Sequence, residues 1–499
     1  MAKVLATPGV YIEEKSAFSS SVVPVATAVP AFVGYTEKAA RGTKSLKNVP
    51  TRITSMAEFE EMFGGAPKTL FDISGDDETG FKLEIDPASR FLLHTAMRFF
   101  YSNGGGDCYV VSIGNYQNGI NALDFNDPAT GAGIASLPKY MEPTLLVVPE
   151  AILLEQADCY SLQQAMLNHC GMTMKNRFAI LDVYDGTRER TMDDADVISQ
   201  FREGVGANFL QWGAAYYPFV NTTLVAATEV GFDNIKNKDG LIEVLTKEVA
   251  DAQSAGLLKE ARAELIKTEI AKIAEAEGED AIETLSATIK AVSPMFKAVL
   301  SQMRDMLNIM PLSPAMAGIY AMVDNSINVA KAPANVSVGS VVSPTVAITN
   351  ESQEDLNLPL NGKAINAVRS FQGKGVLVWG ARTLDGNSQD WRYLSVRRTM
   401  TFLEQSIKMA AEAYVFEPNN ATTWTSLRAM VSNFLNNQWQ GGILAGSTPD
   451  DAFSVEVGLG ITMTPNDILD GLLKMTVKVA ITRPAEFIVI TFQQQQQKS

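Results

Sequence analysis

The sequence predicts a mixed α/β fold arranged in several domains. Short apolar runs rich in β-branched residues alternate along the chain with segments whose apolar residues recur at the spacing of a helix face. The chain has 499 residues, and at about 150 residues per domain this length suggests roughly three domains. A hydrophobic content of 46% is ordinary for a globular protein and is sufficient for a sizeable core.

The beginning of the chain is expected to be an extended arm. Prolines and β-branched residues disfavour helix there. Within 9–14, Val10 and Ile12 fall on one face of an extended segment, and Tyr11 and Glu13 fall on the other. This alternation is typical of a half-buried strand that must find a sheet to join.

Strand and helix patterns then alternate up to about residue 220. The predicted strands are 28–35, 108–114, 144–150, 178–184 and 214–220, and the predicted helices are 56–63, 88–105, 151–170 and 192–203. The second helix is expected to stop at Asn103 and the glycines that follow it. This succession is the basis of the α/β prediction.

A charged segment interrupts this pattern. Residues 240–290 are rich in Ala, Glu and Lys, and their apolar residues form an amphipathic stripe. Two or three helices broken near Gly256 and Gly278 are expected, within an insertion at about 232–292. We interpret it as a solvent-facing insertion and assign it no function.

The last part of the chain is expected to form a separate domain. A proline-punctuated stretch, 311–349, precedes it. The region then contains strands around 375–383, helices at 396–415 and 422–437, and terminal strands at 474–482 and 485–492. The predicted divisions are an arm at 1–25, a variable α/β region at 26–345, a core domain at 346–482 and a strand arm at 483–499.

Composition excludes several classes of protein. The formal net charge of −15 repels nucleic acid and anionic membranes, and no apolar stretch is long enough to insert into a bilayer. Three cysteines without a CxxC pair are not a disulfide framework. The first residues lack the apolar segment of a secretory signal, so a protein made and kept in a cytoplasm is expected.

Candidate catalytic residues are few. The chain has only two histidines, which removes most histidine chemistry and His-rich metal sites. Asp182 and Asp185 follow an apolar strand, as a carboxylate nucleophile and its neighbouring acid do in phosphotransferases, but their three-residue spacing makes them diverge. No catalytic residue, metal or cofactor is therefore expected. The alternative to a protein without catalytic activity is a soluble phosphotransferase that acts through Asp182.

The ends of the chain resemble the contractile tail sheath family. The similar motifs occur in the family's usual order, and they are TPGVYIEE (7–14), VPAFVGYTE (29–37), GVLVWGARTL (375–384), WRYLSVRRTMTFLEQSI (391–407), FEPNNATTW (416–424), NNQWQGGILAG (436–446) and RPAEFIVITFQQ (483–494). Each motif alone is moderately specific, but their joint order makes coincidence improbable. The segment from about 115 to 345 has no matching motifs, as expected of a family whose inserted domains vary.

The resemblance implies a structural protein. A core domain built from both chain ends carries an inserted domain, and the two arms exchange strands with neighbouring subunits of a helical homopolymer around an inner tube. The implied exchange residues are Val10, Tyr11, Ile12, Glu13, Phe487, Ile488, Val489, Ile490 and Phe492. Contraction by subunit rotation then drives the tube through a target envelope. Implied partners are the tube, baseplate, terminator or cap proteins, and sister sheath proteins, in a phage tail, a bacteriocin or an injection system.

The surface that meets the tube is a further expectation. Arg397 and Arg398, or Arg428, supply positive charge in an acidic chain and are candidates for contact with an acidic tube. Alternatively, Arg397 and Arg398 pair with carboxylates of their own chain, such as Glu404 and Glu417. A non-contractile tube or filament protein is the remaining alternative function.

Overall fold

The structure is a computed structural model that describes residues 22–76, 78–191 and 193–489. The described residues form two compact units. The larger unit contains residues 26–398 and 483–489, and the smaller contains residues 22–25 and 399–482. The smaller unit is therefore assembled from two distant parts of the chain.

The strands of the larger unit are short. They are β1 Pro30–Gly34, β2 Ala40–Arg41, β3 Lys44–Ser45, β4 Thr51–Ile53, β5 Phe71–Asp76, β6 Gly80–Ile85, β7 Cys108–Ser112, β8 Asn126–Asp127, β9 Ala132–Gly133, β10 Leu145–Val147, β11 Phe178–Asp182, β12 Gly213–Tyr217, β13 Val220–Thr222, β14 Ile309–Met310, β15 Val336–Ser337, β16 Val341–Pro344, β17 Asn366–Phe371 and β18 Gly375–Val378. The strands predicted near residues 28, 108, 144, 178 and 214 are all confirmed.

A nine-stranded sheet forms the centre of the larger unit. Its strand order is β15-β18-β17-β12-β11-β10-β1-β7-β4, and the strands from β17 to β7 are parallel. Alternate residues of each strand enter two separate apolar cores, so Phe32 packs on one face while Ala31 and Val33 pack on the other. A parallel sheet of apolar strands requires cover on both faces. This sheet has an apolar core on each face, which confirms the predicted α/β class.

Several of the helices that begin in this unit provide that cover. They are α1 Met56–Phe63, α2 Leu93–Ser102, α3 Ala122–Phe125, α4 Gln156–Asn168, α5 Val197–Gly204, α6 Lys238–Ser254, α7 Glu260–Ala271, α8 Glu279–Val292, α9 Pro294–Leu307, α10 Ser313–Ser326, α11 Asn350–Asn357 and α12 Leu394–Ala411. Helices α2 and α10 pack on one face of the sheet, and α4, α5 and α11 pack on the other. As predicted, the helix stops at Asn103, which is the C-cap residue of α2, and Gly104 follows it with φ +87°.

The charged insertion is helical and has its own apolar core. Helices α6 to α9 pack together with the hairpin β5–β6 around buried residues such as Phe71 and Phe296. Gly256 and Gly278 adopt φ +72° and +85° between successive helices, which confirms the predicted breaks. The insertion extends to Leu307, beyond the predicted limit, because the stripe of α9 completes this core.

The region expected as a domain boundary is not a linker. Residues 311–349 contain α10, most of whose residues are buried, and several of them belong to the apolar core on one face of the central sheet. Strand β12 pairs with β17, so the central sheet continues across the predicted division at residue 345. Pro314 lies in the first turn of α10 and Pro344 is the last residue of β16, so these prolines mark the ends of elements within one unit.

The smaller unit consists of helices and one two-stranded sheet. It contains most of α12, α13 Ala421–Gln440, α14 Pro449–Ala452, α15 Pro465–Leu469, β19 Phe453–Val457 and β20 Met475–Val479. The rings of Phe402 and Phe434 pack at a centroid distance of 6.1 Å between α12 and α13. Residue 25 belongs to this unit, and its backbone N–H donates to Ser406 Oγ over 3.2 Å.

Candidate assembly site

The described C-terminal segment is fixed to the larger unit at Glu486. Arg382 donates from Nε to Glu486 Oε1 over 3.0 Å and from Nη2 to Oε2 over 2.6 Å. Asn357 Nδ2 donates to Oε1 over 2.8 Å, and the Tyr393 hydroxyl donates to Oε2 over 3.4 Å. A bidentate guanidinium–carboxylate pair of this kind fixes orientation as well as distance.

Hydrogen bonds between the backbone of Arg382 and the side chain of Asn366 hold Arg382 in place. Its N–H donates to Asn366 Oδ1 over 2.7 Å, and Asn366 Nδ2 donates to the Arg382 carbonyl over 2.8 Å. Its Nη1 donates to the carbonyl of Asn357 over 3.0 Å, and its side chain is 2% exposed. Burial alone would raise the pKa of Glu486, but the hydrogen bonds from Arg382, Asn357 and Tyr393 outweigh burial and lower it.

The three residues directly after Glu486 are apolar and exposed. Phe487, Ile488 and Val489 are 68%, 78% and 89% exposed, and residues 483–489 belong to no helix or strand. Three consecutive exposed apolar side chains are unfavourable in water and are typical of a surface that a partner covers. The other predicted exchange residues, Val10, Tyr11, Ile12, Glu13, Ile490 and Phe492, lie outside the described residues.

The two-stranded sheet of the smaller unit has free edges. Strands β19 and β20 are antiparallel, with Phe453 opposite Val479 and Val457 opposite Met475. Among the described residues, no further strand pairs with either of them. Ala480 N–H donates to Ala452 O, so by alternation the N–H groups of Val477 and Val479 point away from β19.

Two predicted tube-facing residues are buried. Arg398 pairs with Asp324 over 2.5 Å and donates to the carbonyl of Thr27 over 2.9 Å. The Arg397 guanidinium lies 4.3 Å from the ring centroids of both Trp212 and Trp391. Both arginines therefore stabilise the larger unit, and the carboxylate that pairs with Arg398 is Asp324, not the Glu404 or Glu417 named from the sequence.

Arg428 is placed differently. It is exposed on α13 in the smaller unit, and its Nη2 lies 3.5 Å from the carbonyl oxygen of Val457 at the end of β19. Of the three predicted arginines, it is the one whose charge is accessible in the described structure.

The carboxylates of the enzyme alternative have structural roles. Asp182 Oδ1 accepts hydrogen bonds from the backbone N–H groups of Leu312 and Ser313, each over 2.9 Å, at the start of α10. Burial raises the pKa of Asp182 to about 6 in spite of these bonds. Asp185 has φ +56° and pairs with Arg188 in a turn. Asp182 is thus a helix cap.

The described residues contain neither a metal-binding cluster nor a helix that could span a membrane. No cluster of three or more His, Cys, Asp or Glu side chains there has a geometry that could hold a metal ion. Within the same residues, no helix has the length and apolar character needed to cross a membrane.

Sequence reasoning missed the pairing of Arg382 with Glu486. The two residues are separated by 104 positions, and each occurs in a motif quoted above, as a charged residue beside an apolar β-forming run. The sequence does show a positive charge beside one run and a negative charge beside the other. No local pattern indicates that these two residues are in contact.

Part of the chain is similar in sequence to tail sheath proteins of phages. Residues 387–495 match the family model of the phage tail sheath C-terminal domain. The tail sheath protein of Enterobacteria phage T4 is 27% identical over 160 residues, which cover 32% of this chain and 24% of the relative. That of Burkholderia phage BcepMu is 30% identical over 141 residues, 27% of this chain and 29% of the relative. The matched part is thus about a quarter of the length of these curated relatives.

Solved structures match nearly the whole chain. The PVC sheath complex of an extracellular contractile injection system, in its contracted state, is 28% identical with a TM-score of 0.61 and covers 99% of both chains. The helical sheath of the anti-feeding prophage in its contracted state is 27% identical with a TM-score of 0.61, covering 99% of this chain and 100% of the other. A chain of the anti-feeding prophage baseplate is 28% identical with a TM-score of 0.59.

Proposed function

Because the chain belongs to the tail sheath proteins of contractile particles, we propose that it is the subunit of a contractile sheath. Copies polymerise helically around an inner tube, and the sheath contracts by subunit rotation to drive the tube through a target envelope. The role is structural, and the chain carries out no catalysis. Asp182, the residue on which the enzyme alternative depends, is a fully buried helix cap.

The exposed apolar segment after Glu486 is the observation that carries this proposal. Residues 487–489 are β-forming and largely exposed, and the chain is held at the residue just before them. A free strand with apolar side chains gains main-chain hydrogen bonds and burial when it joins the sheet of another copy. The C-terminal arm is therefore a strand donated to a neighbour, and residues 10–13 are proposed to be donated in the same way.

The two-stranded sheet is the proposed acceptor. In the described structure, neither β19 nor β20 has a further strand on its outer edge, although Arg428 Nη2 lies 3.5 Å from the Val457 carbonyl at the end of β19. Such edges bind an added strand through the backbone, so the linkage tolerates rotation of the subunits that it joins. One donated strand on each edge would complete a four-stranded sheet built from several copies.

Contraction requires no bound nucleotide in this scheme. The free energy comes from contacts that form only in the contracted state. Summed over the many subunits of a filament, a gain of a few kcal/mol per subunit exceeds the stability of a whole domain, which is about 5–15 kcal/mol. Sheath structures in the contracted state are among the neighbours of this chain, which supports the same reading here.

The proposed partners follow from the same scheme. They are other copies of this chain, an inner tube protein, baseplate proteins, terminator or cap proteins, and any sister sheath proteins. A baseplate match supports association at one end of the sheath. Assembly takes place in a bacterial cytoplasm, and the product is a phage tail or an extracellular contractile particle. Arg428 is the candidate for contact with the tube, since its charge is accessible.

The first experiment is polymerisation of the full chain, imaged by negative-stain electron microscopy. We expect hollow cylinders from the full chain and discrete particles from a variant that lacks residues 487–499. The truncated protein should unfold at an unchanged temperature, because Glu486 remains. Leu360→Ser is the matched control, since Leu360 is a fully exposed apolar residue elsewhere in the larger unit. Normal cylinders from the truncated protein would contradict the proposal.

A further inference from the structure

The anchor at Glu486 joins three separate elements of the larger unit to the terminal segment. Arg382 follows β18, Asn357 ends α11, and Tyr393 directly precedes α12. Both carboxylate oxygens are engaged, so the side chain has one defined orientation. The boundary between bound and free chain therefore falls within one residue, between Glu486 and Phe487.

Arg382 depends on this carboxylate for charge compensation. Among the described residues, Glu486 is the ionised group that pairs with the Arg382 guanidinium, whose other acceptors are the carbonyls of Asn357 and Gly386. A buried charge that loses its counter-ion is strongly destabilising. The terminal segment is thus held to the larger unit by the ion pair that neutralises the buried Arg382. Its apolar residues are exposed and do not contribute.

We propose that Arg382 and Glu486 are a positioning pair that sets the register of the donated C-terminal strand. This inference rests on the proposed sheath function. A strand presents alternate side chains to opposite faces, so a shift of one residue moves its apolar set from the buried face to the exposed face. By fixing the chain at Glu486, the pair determines which face Phe487 occupies and how far the strand reaches.

The same anchor transmits force. The six residues 487–492 span roughly 20 Å when extended, and a pull on the strand acts first on the Glu486 carboxylate. From there it reaches the base of β17 through the mutual hydrogen bonds of Arg382 and Asn366. A rotating neighbour therefore pulls on the central sheet of the donor subunit.

Insertions test the register directly. One residue, Gly, inserted between Glu486 and Phe487 should abolish cylinders in the polymerisation assay. Two residues, Gly-Ser, at the same place restore the alternation and should restore cylinders at least in part. The matched control places one Gly between Thr482 and Arg483, before the anchor, and should leave assembly unchanged.

The outcomes separate this inference from the proposed function. If the unmodified chain forms no cylinders while the chain remains folded, the proposed function fails. If it forms cylinders and the one-residue insertion after Glu486 does so equally well, only the positioning role is overturned. Equal loss from insertions on both sides of the anchor would also overturn it.

A second readout does not require polymers. Glu486→Gln keeps the shape of the side chain but removes the charge that Arg382 needs, so the unfolding temperature of the unassembled protein should fall. Phe487→Ser, one position further, should leave it unchanged. In assembly, Glu486→Gln should raise the critical concentration at least about tenfold. Equal unfolding temperatures for Glu486→Gln and the unmodified chain would overturn the anchor.

Discussion

The nine-stranded sheet of the larger unit and the two-stranded sheet of the smaller unit differ in how far their strands are buried and paired. In the first, strands such as β1 are buried on both faces and lie inside a ladder of parallel neighbours. In the second, β20 alternates half-buried and exposed residues, and its outer edge is unpaired in the described structure. The first sheet provides stability to one chain, and we infer that the second provides linkage between chains.

The largest effect on stability is expected from the centre of the nine-stranded sheet. Phe32 is fully buried on β1, and its ring contacts Phe100 of α2 at a centroid distance of 5.1 Å. Phe32→Ala should lower the free energy of unfolding of the larger unit by about 3–5 kcal/mol, because it leaves a cavity. Denaturant unfolding measures this loss. Leu360→Ala, an exposed apolar change, should cost under about 0.5 kcal/mol, and equal losses would contradict the comparison.

A change at the open edge should have little effect on stability and a large effect on assembly. Val477→Pro removes an N–H that points away from β19, so the intrachain ladder keeps its bonds and the unfolding temperature should change little. A strand from a neighbour would lose a donor at that edge. We expect cylinders to disappear with Val477→Pro and to persist with Val477→Ala, as judged by electron microscopy. Persistent cylinders with the proline variant would exclude this edge as an acceptor.

The smallest effect is expected on α13, beside the two-stranded sheet. Arg428→Glu reverses an exposed charge and should weaken binding to the tube protein by about two- to fivefold, the range of a surface ion pair. Co-sedimentation with purified tubes at low salt measures it. Lys408→Glu, at another exposed position of the smaller unit, is the control for net charge. Equal binding by both variants would remove Arg428 from the tube-facing surface.

Local patterns predicted the elements well. The spacing of apolar residues in MAEFEEMF gave the observed bounds of α1, Met56–Phe63, and Ser55 caps that helix as its side chain accepts from Glu58 N. Glycines with positive φ marked the breaks in the charged insertion. These features depend on a few neighbouring residues, so a single sequence contains them.

Long-range pairings could not be predicted in the same way. Arg398 lies 74 positions from Asp324, and the sequence offered nearer carboxylates as partners. The continuation of the central sheet through β17 was missed for the same reason, because strand order depends on which apolar faces can be covered together. The exposed arm was anticipated from its composition and from resemblance, but the residue that anchors it was not.

Synthesis on the ribosome reaches the smaller unit late. Residues 22–25 emerge early, but they belong to a unit whose remaining part is residues 399–482. At about 5–20 residues per second, roughly 20 s or longer separates residue 25 from residue 399. Strands β19 and β20 have not been synthesised during that interval. Neighbouring nascent chains on one messenger RNA therefore have no sheet edge to which a strand from another copy could bind. If these edges accept donated strands as proposed, polymerisation begins from finished subunits rather than on the polysome.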